Sequence, residues 1–324
     1  TYCGSKHAIG VASGTDALLL SLKAHDMSDK VITSPFTFFA TAGAIHNAGA
    51  TPTFSDIDLN TFNINPDNLR QNVQNREICG IIPVHLFGQT ADMCQILEIA
   101  EDNDLNVIED AAQSVGAKYH GKRVGSLSTT CFSFFPAKNL GCYGDGGIIT
   151  TNNEEIADKL RTLRVHGSKT KYYHQMIGYN SRLDAIQAAI LNVKLKYINK
   201  WNDMRKDNAK FYIKSLKNIQ GIQLPKISSD FSHVFNQFTI RVKLGRRKDL
   251  RDFLTKKNIS TAIYYPHPLH LQPCFSDLNY EKGSMPNAEL VCNEVLSIPI
   301  YPEIKKEELE YVAENVIDFF EKNS

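Results

Sequence analysis

Lys138 stands in the run Ser133-Phe134-Phe135-Pro136-Ala137-Lys138-Asn139-Leu140-Gly141, a single cation just past an apolar, aromatic stretch. Segment 129–135 (TTCFSFF) has the composition of a buried strand. A lysine delivered by such a strand is exposed to desolvation, which favours the neutral amine, and a neutral amine attacks a carbonyl to form a Schiff base. The same lysine also fits a solvated position opening a loop, because Pro136 and Asn139-Leu140-Gly141 mark a turn. On Lys138 alone the solvated reading stands, because most lysines are solvated.

Four further features lie at predicted strand ends, where α/β folds place their ligands. Ser13-Gly14-Thr15 opens a helix directly after a strand. Free backbone N–H groups and the positive dipole end make such a start a phosphate site, and equally an ordinary N-cap. Asp110 ends a strand ahead of Ala111-Ala112-Gln113. A buried carboxylate there needs a partner, which a protonated heterocyclic nitrogen would supply; a helix N-cap is the alternative. Ser133, five residues before Lys138, offers a hydroxyl to a phosphate or to nearby backbone. Phe36 and Phe38 offer a planar apolar face, for a ring or for the core. Together these residues supply a Schiff-base lysine, a carboxylate for a ring nitrogen, a phosphate site and an aromatic face, which is what pyridoxal 5′-phosphate needs. The chain has no GxGxxG after a strand and no Walker A pattern; the glycine-rich 141–147 (GCYGDGG) follows the lysine and has neither spacing.

These groups need a scaffold that gathers strand ends. Apolar runs predict strands at 8–12, 30–33, 51–56, 79–84, 106–109, 129–135 and 147–151, with helices at 15–24, 41–47, 93–102 and 153–164 between them. This alternation predicts a mostly parallel seven-stranded sheet with helices on both faces. Leu183, Ile186, Ile190, Val193 and Tyr197 have 3-4-3-4 spacing, predicting one long amphipathic helix that connects to a second domain. Beyond about residue 205 the texture changes. Segment 236–244 alternates like a half-buried strand, 248–257 is helical, and 307–322 forms a terminal amphipathic helix. The expected division is a large domain over 1–204 and a smaller α+β domain over 205–324.

The bulk properties narrow the function. With 36 Lys and Arg against 35 Asp and Glu there is no basic stripe, so nucleic acid is not the expected partner. No apolar segment approaches the roughly 20 residues of a membrane span. The seven cysteines, at 3, 79, 94, 131, 142, 274 and 292, form no CxxC pair, which argues against a metal site or a disulfide framework and for a reduced, cytoplasmic setting. The chain opens Thr1-Tyr2-Cys3-Gly4, and an upstream segment is expected.

The motifs Ser13-Gly14-Thr15-Asp16-Ala17-Leu18, Glu109-Asp110-Ala111-Ala112-Gln113, 133–141 with its trailing Gly144-Asp145-Gly146-Gly147, and Tyr179-Asn180-Ser181-Arg182-Leu183-Asp184 resemble the DegT/DnrJ/EryC1/StrS family. Tyr265-Pro266, Leu269-His270-Leu271-Gln272-Pro273 and 298–302 extend the resemblance over essentially the whole chain. It implies a fold-type I, pyridoxal-phosphate-dependent nucleotide-sugar aminotransferase. By that resemblance Lys138 carries the cofactor and shuttles the proton, Asp110 pairs with the pyridine nitrogen, and Gln113 bonds the ring hydroxyl. Gly14, Thr15 and Ser133 hold the phosphate, Phe38 stacks on the ring, and Ala112 packs near its other face. Asn180 reaches the phosphate of a neighbouring subunit's cofactor, so a homodimer with shared active sites is expected. Arg182 is a substrate contact across that interface or a helix-start arginine paired with Asp184. His85 is a substrate contact near the cofactor or a satisfied core histidine. Tyr264 stands where many relatives carry histidine, and is a further substrate candidate.

The implied reaction takes nitrogen from an amino acid, L-glutamate, and gives it to a keto group of a UDP- or dTDP-linked hexose, in amino-sugar biosynthesis such as that of lipopolysaccharide O-antigen. The Asn180-to-Asp184 motif resembles members acting at C3; action at C4 of a 4-keto-6-deoxy sugar is the alternative. Lys138 argues against the dehydratases of the family, which carry histidine there. A pyridoxal-phosphate-binding regulatory protein without turnover is the reading from a different class.

Overall fold

A computed structural model describes residues 1–74, 77–227 and 231–322. Seven strands form one sheet: β1 (His7–Val11), β2 (Lys30–Thr33), β3 (Thr51–Phe54), β4 (Ile78–Ile82), β5 (Asn106–Asp110), β6 (Thr129–Ser133) and β7 (Gly147–Thr151). Their order is β1-β7-β6-β5-β4-β2-β3. Neighbours from β6 to β3 pair parallel, while β7 runs antiparallel to both β6 and β1. Successive residues turn to opposite faces, as the strand period of two requires. Val31, Ile82, Ile108 and Cys131 face α1 (Gly14–Ala24), while Ile32, Ile81 and Val107 face α4 (Met93–Asp102) across the sheet. The sheet is therefore covered on both sides and its strands read as continuous apolar runs.

Local signals start the helices. Ser13 caps α1 through a 3.0 Å bond from the Asp16 N–H, and Asn153 caps α5 (Glu154–Leu163) by accepting from the Ile156 N–H. Two helices of this half carry weaker patterns. The helix α2 (Ala40–Asn47) has no side-chain cap, and α3 (Pro66–Asn72), absent from the expected elements, is one short segment announced only by Asn65 and Pro66.

The expected long helix over 183–197 is shorter, 185–194, and the helix that follows begins beyond it. Asp184 caps α6 (Ala185–Lys194), and after a break α7 (Ile198–Leu216) continues for 19 residues. The 3-4-3-4 stripe is real, but Ile186, Val193 and Tyr197 are exposed in this chain, so the stripe is not core here. The expected boundary at 204/205 falls inside α7. Ile198 at its start packs on the β6 face of the sheet, while Ala209, Tyr212 and Leu216 pack in the C-terminal core.

That core is built on an antiparallel sheet of β8 (Ile222–Gln223), β9 (Phe238–Val242) and β10 (Val295–Ile298), with α8 (Arg247–Lys256) and α10 (Lys306–Glu321) against it. The structure corrects the half-buried reading of β9, all five of whose residues are buried. Its polar residues are paired instead of solvated: Thr239 bonds Ser297 at 2.8 Å, and Arg241 Nε donates to Glu294 at 2.8 Å. The helix α9 (Pro286–Glu294) returns to the first half, where the Asn287 and Ala288 N–H groups bond Asp56. Among the described residues, no helix is long and apolar enough to cross a membrane.

Candidate active site

The carboxyl ends of β1, β5 and β6 meet at one edge of the sheet. Because β7 is antiparallel to β6, its preceding loop, Asp145-Gly146, arrives at the same edge. A cavity of about 480 Å³ opens there. Gly14, Thr15, Phe38, Asp110, Gln113, Ser133, Lys138 and Tyr264 all line it, so eight of the residues singled out from sequence converge.

Lys138 is presented by a tight turn after β6. Its backbone N–H donates to Phe135 O at 2.9 Å, and Cys142 N–H closes the loop on Phe134 O at 2.8 Å. A Cβ at Gly141 would lie 2.4 Å from Pro136 O, so only glycine allows the loop to fold this tightly. Burial lowers the Lys138 ammonium below its ordinary range, and the Asp110 charge partly counters this. The lysine reading from sequence thus has a physical basis: desolvation enriches the nucleophilic amine.

Asp110 lies nearly buried in the wall of the cavity, 5% exposed. Its Oδ2 accepts from Thr41 Oγ1 at 2.8 Å and its Oδ1 from Ala112 N–H at 3.1 Å. Burial raises its carboxyl above the usual range despite those bonds and the nearby Lys138 and His85. Among the described residues, no cation lies within salt-bridge distance of it. A buried carboxylate held this way favours a cationic ligand, as a protonated ring nitrogen would be.

The start of α1 closes against β6. A Cβ at Gly14 would sit 2.6 Å from Ser133 Cβ, so the missing side chain is what lets the helix N-terminus meet the strand end. Ser13 Oγ is occupied as a cap, which makes the N-cap alternative true for Ser13, while the unbonded first N–H groups of α1 and the Ser133 hydroxyl remain for an anion. Phe38 is 58% exposed beside the cavity, whereas Phe36, 1% exposed, belongs to the core with Phe62 and Phe87. Gln113 is partly committed: Oε1 accepts from Phe87 N–H at 2.5 Å and Nε2 donates to Tyr265 Oη at 3.2 Å, leaving one N–H. The residues present therefore fit a phosphorylated, cationic aromatic group that reacts with an amine.

His85 is corrected. It is fully buried and does not line the cavity. Its Nδ1 accepts from Ala91 N–H at 3.0 Å, so its Nε2–H donates to Glu109 Oε2 at 2.8 Å. Both nitrogens are satisfied within the core, on the strand face opposite Asp110. Asn180 and Arg182 are exposed and lie outside the cavity of this chain, Arg182 Nη2 donating to Asn180 Oδ1 at 2.9 Å. The Arg182–Asp184 pairing does not occur; Asp184 instead caps α6, accepting from Ile186 N–H at 2.7 Å.

Sequence reasoning passed over Thr41, Tyr265, Asn236 and Gln237. Thr41 reaches Asp110 across 69 positions of chain, a contact that only the packing of α2 over β5 creates. Tyr265 appeared only as part of a motif, and Asn236 and Gln237 only as the start of a strand.

Fold and site together define an α/β enzyme that carries amine chemistry on a phosphorylated ring cofactor. The chain matches the DegT/DnrJ/EryC1/StrS aminotransferase family over residues 1–317 and belongs to it. Aminotransferases of this family depend on pyridoxal phosphate. The chain is 50% identical over 324 residues to a protein of Geobacillus stearothermophilus named pleiotropic regulatory protein, covering 98% of this chain and 86% of that one. It is 45% identical over 319 residues to dTDP-3-amino-3,6-dideoxy-α-D-galactopyranose transaminase of Aneurinibacillus thermoaerophilus, covering 98% and 86%. The crystal structure of DesV from S. venezuelae superposes with a TM-score of 0.96 at 39% identity, covering 99% of this chain and 86% of DesV.

Proposed function

We propose that this chain moves an amino group from L-glutamate to the C3 keto group of a UDP- or dTDP-linked hexose, in amino-sugar and glycan biosynthesis. The observation that carries the reading is the Lys138 amine and the Asp110 carboxylate in one cavity whose rim holds a glycine-started helix and Ser133. Pyridoxal phosphate, when bound, supplies a reactive aldehyde and a ring that draws electrons from the carbon being aminated. Gly14, Thr15 and Ser133 hold the phosphate; Asp110 keeps the ring nitrogen protonated; Gln113 uses its free N–H on the ring hydroxyl; Phe38 covers one ring face. Lys138 Nζ would carry the proton to and from the substrate carbon. Tyr264 meets the sugar at the cavity mouth.

The chain works as a homodimer. Asn180 and Arg182 serve the partner's cavity, a role supported by their exposure and by the exposed apolar stripe on the neighbouring α6. Residues 1–204 form the cofactor domain and 205–324 the smaller one, with α7 bridging them. The C3 choice is supported by the name of the Aneurinibacillus relative; C4 of a 4-keto-6-deoxy sugar is the runner-up.

The test is turnover of L-glutamate with a panel of UDP- and dTDP-linked 3-keto and 4-keto hexoses, the aminated carbon being located by NMR. A 3-amino product is expected, and Lys138→Ala should abolish it. A 4-amino product would move the site of amination, and full turnover by Lys138→Ala would refute the mechanism. A second reading, a regulator without turnover, is favoured by the name of the Geobacillus relative. It predicts a cofactor-bound protein that aminates none of the panel.

A further inference from the structure

Behind Lys138 runs a relay of buried side-chain amides. Asn202 Nδ2 donates to the backbone carbonyl of Val115 at 2.9 Å, so Asn202 presents its Oδ1 to Asn139. Asn139 Nδ2 donates to that oxygen at 2.8 Å and to Val234 O at 3.0 Å, so Asn139 in turn presents its Oδ1. Asn236 Nδ2 donates to it at 2.9 Å. The two backbone carbonyls can only accept, and they fix the orientation of every amide in the chain. The relay therefore ends in one oxygen, Asn236 Oδ1.

Among the described residues that oxygen has no hydrogen-bond partner. Asn236 is 7% exposed, its Oδ1 is buried without a hydrogen bond, and the residue lines the same cavity as Lys138. Its neighbour Gln237 also lines the cavity with a buried, unbonded Oε1. Buried acceptors are almost always satisfied, because an unpaired one gives up its bond to water and gains none in return. The backbone is anchored as well, Asn236 N–H donating to Phe87 O at 2.9 Å. A fixed, pre-oriented acceptor in a ligand cavity calls for a donor on the ligand.

We propose that Asn236 Oδ1 is a specificity determinant that accepts a hydrogen bond from a hydroxyl of the acceptor sugar next to its keto carbon. The inference rests on the nucleotide-sugar reading above. Asn139, adjacent to Lys138 in sequence, is a positioning residue: it ties the turn that carries the reactive amine to the oxygen that recognises the sugar. Gln237, whose amide is not fixed by any bond, adapts to whichever group the same sugar offers beside it.

The test uses the cofactor-loaded enzyme and matched 3-keto hexose nucleotides with and without the hydroxyl at C2 or C4. In the wild type, removing the recognised hydroxyl should lower kcat/KM, and raise the dissociation constant measured by calorimetry, on the order of 10- to 100-fold. This arm needs no mutation. In Asn236→Ala the two sugars of that pair should become equivalent. Equal discrimination by the variant, or no discrimination at either position by the wild type, overturns the assignment. A wild type that aminates no sugar refutes the parent reading itself, an outcome distinct from all of these.

Discussion

The reassignment of His85 makes the sharpest quantitative prediction. Replacing His85 with alanine removes the charge-assisted bond from Nε2–H to Glu109 and leaves the Ala91 N–H without its acceptor. The first loss is about 1.5–3 kcal/mol and the second about 1–3 kcal/mol. Glu109 keeps three bonds, from Ser128 N–H, Ser128 Oγ and Thr130 Oγ1, at 3.1, 2.8 and 2.9 Å, so its charge is not stranded outright. The two sum to about 2.5–6 kcal/mol, centred on the roughly 3–5 kcal/mol found when a buried pair loses one member. At about 2.1 cal/mol/K of unfolding entropy per residue, the 324 residues carry about 0.7 kcal/mol/K. The melting temperature should then fall by about 4–7 °C, read by differential scanning calorimetry on the cofactor-free protein. Well below that temperature, KM for the sugar should stay within about threefold of wild type, because His85 does not border the cavity. A melting temperature within about 1 °C of wild type, with KM for the sugar raised tenfold or more, would refute the reasoning and return His85 to the substrate site.

Two further predictions concern the cofactor end of the cavity. Burial raises the Asp110 carboxyl above its unfolded value, so its charge opposes folding at neutral pH; the penalty fades as pH falls through the raised folded value and is gone below the unfolded value near 4. Cofactor-free Asp110→Asn should therefore be more stable than wild type at pH 7 and lose that advantage by about pH 3, while binding pyridoxal phosphate about 10- to 100-fold more weakly; equal stabilisation at both pH values in urea titrations would sink the argument. In Gly14→Ala the new Cβ meets Ser133 Cβ at 2.6 Å, and overpacking of about 1–3 kcal/mol should outweigh the roughly 0.4–1 kcal/mol that alanine gains from a stiffer unfolded chain. A net stabilisation in chemical denaturation, with unchanged phosphate affinity, would count against this account of the helix start.

Much of the scaffold was legible because it rests on local chemistry. All seven sheet strands and α1, α4 and α5 lie within a few residues of their expected positions, since buried parallel strands are short apolar runs and capped helices announce themselves. Where a signal was thin the reading failed: α3 is a single short segment, and the break after α6 interrupts an apolar stripe that carries no glycine or proline to mark it. The strand β9 shows the other kind of failure. Thr239 and Arg241 look solvent-facing in sequence, and become core only because Ser297 and Glu294, more than fifty positions away, supply their partners.

The sequence by itself brought out the candidate set, because Asp110, Gly14 and Ser133 stand at a strand end or helix start and Lys138 in the turn just after one. Their position along the chain implied their position in space. Tertiary structure alone decided what those groups feel and which others join them. Desolvation of Lys138 and Asp110, the burial of His85 against Glu109, and the relay that orients Asn236 all depend on elements packed from distant parts of the chain. Burial and hydrogen-bond satisfaction are properties of an environment, and no single segment of sequence contains one.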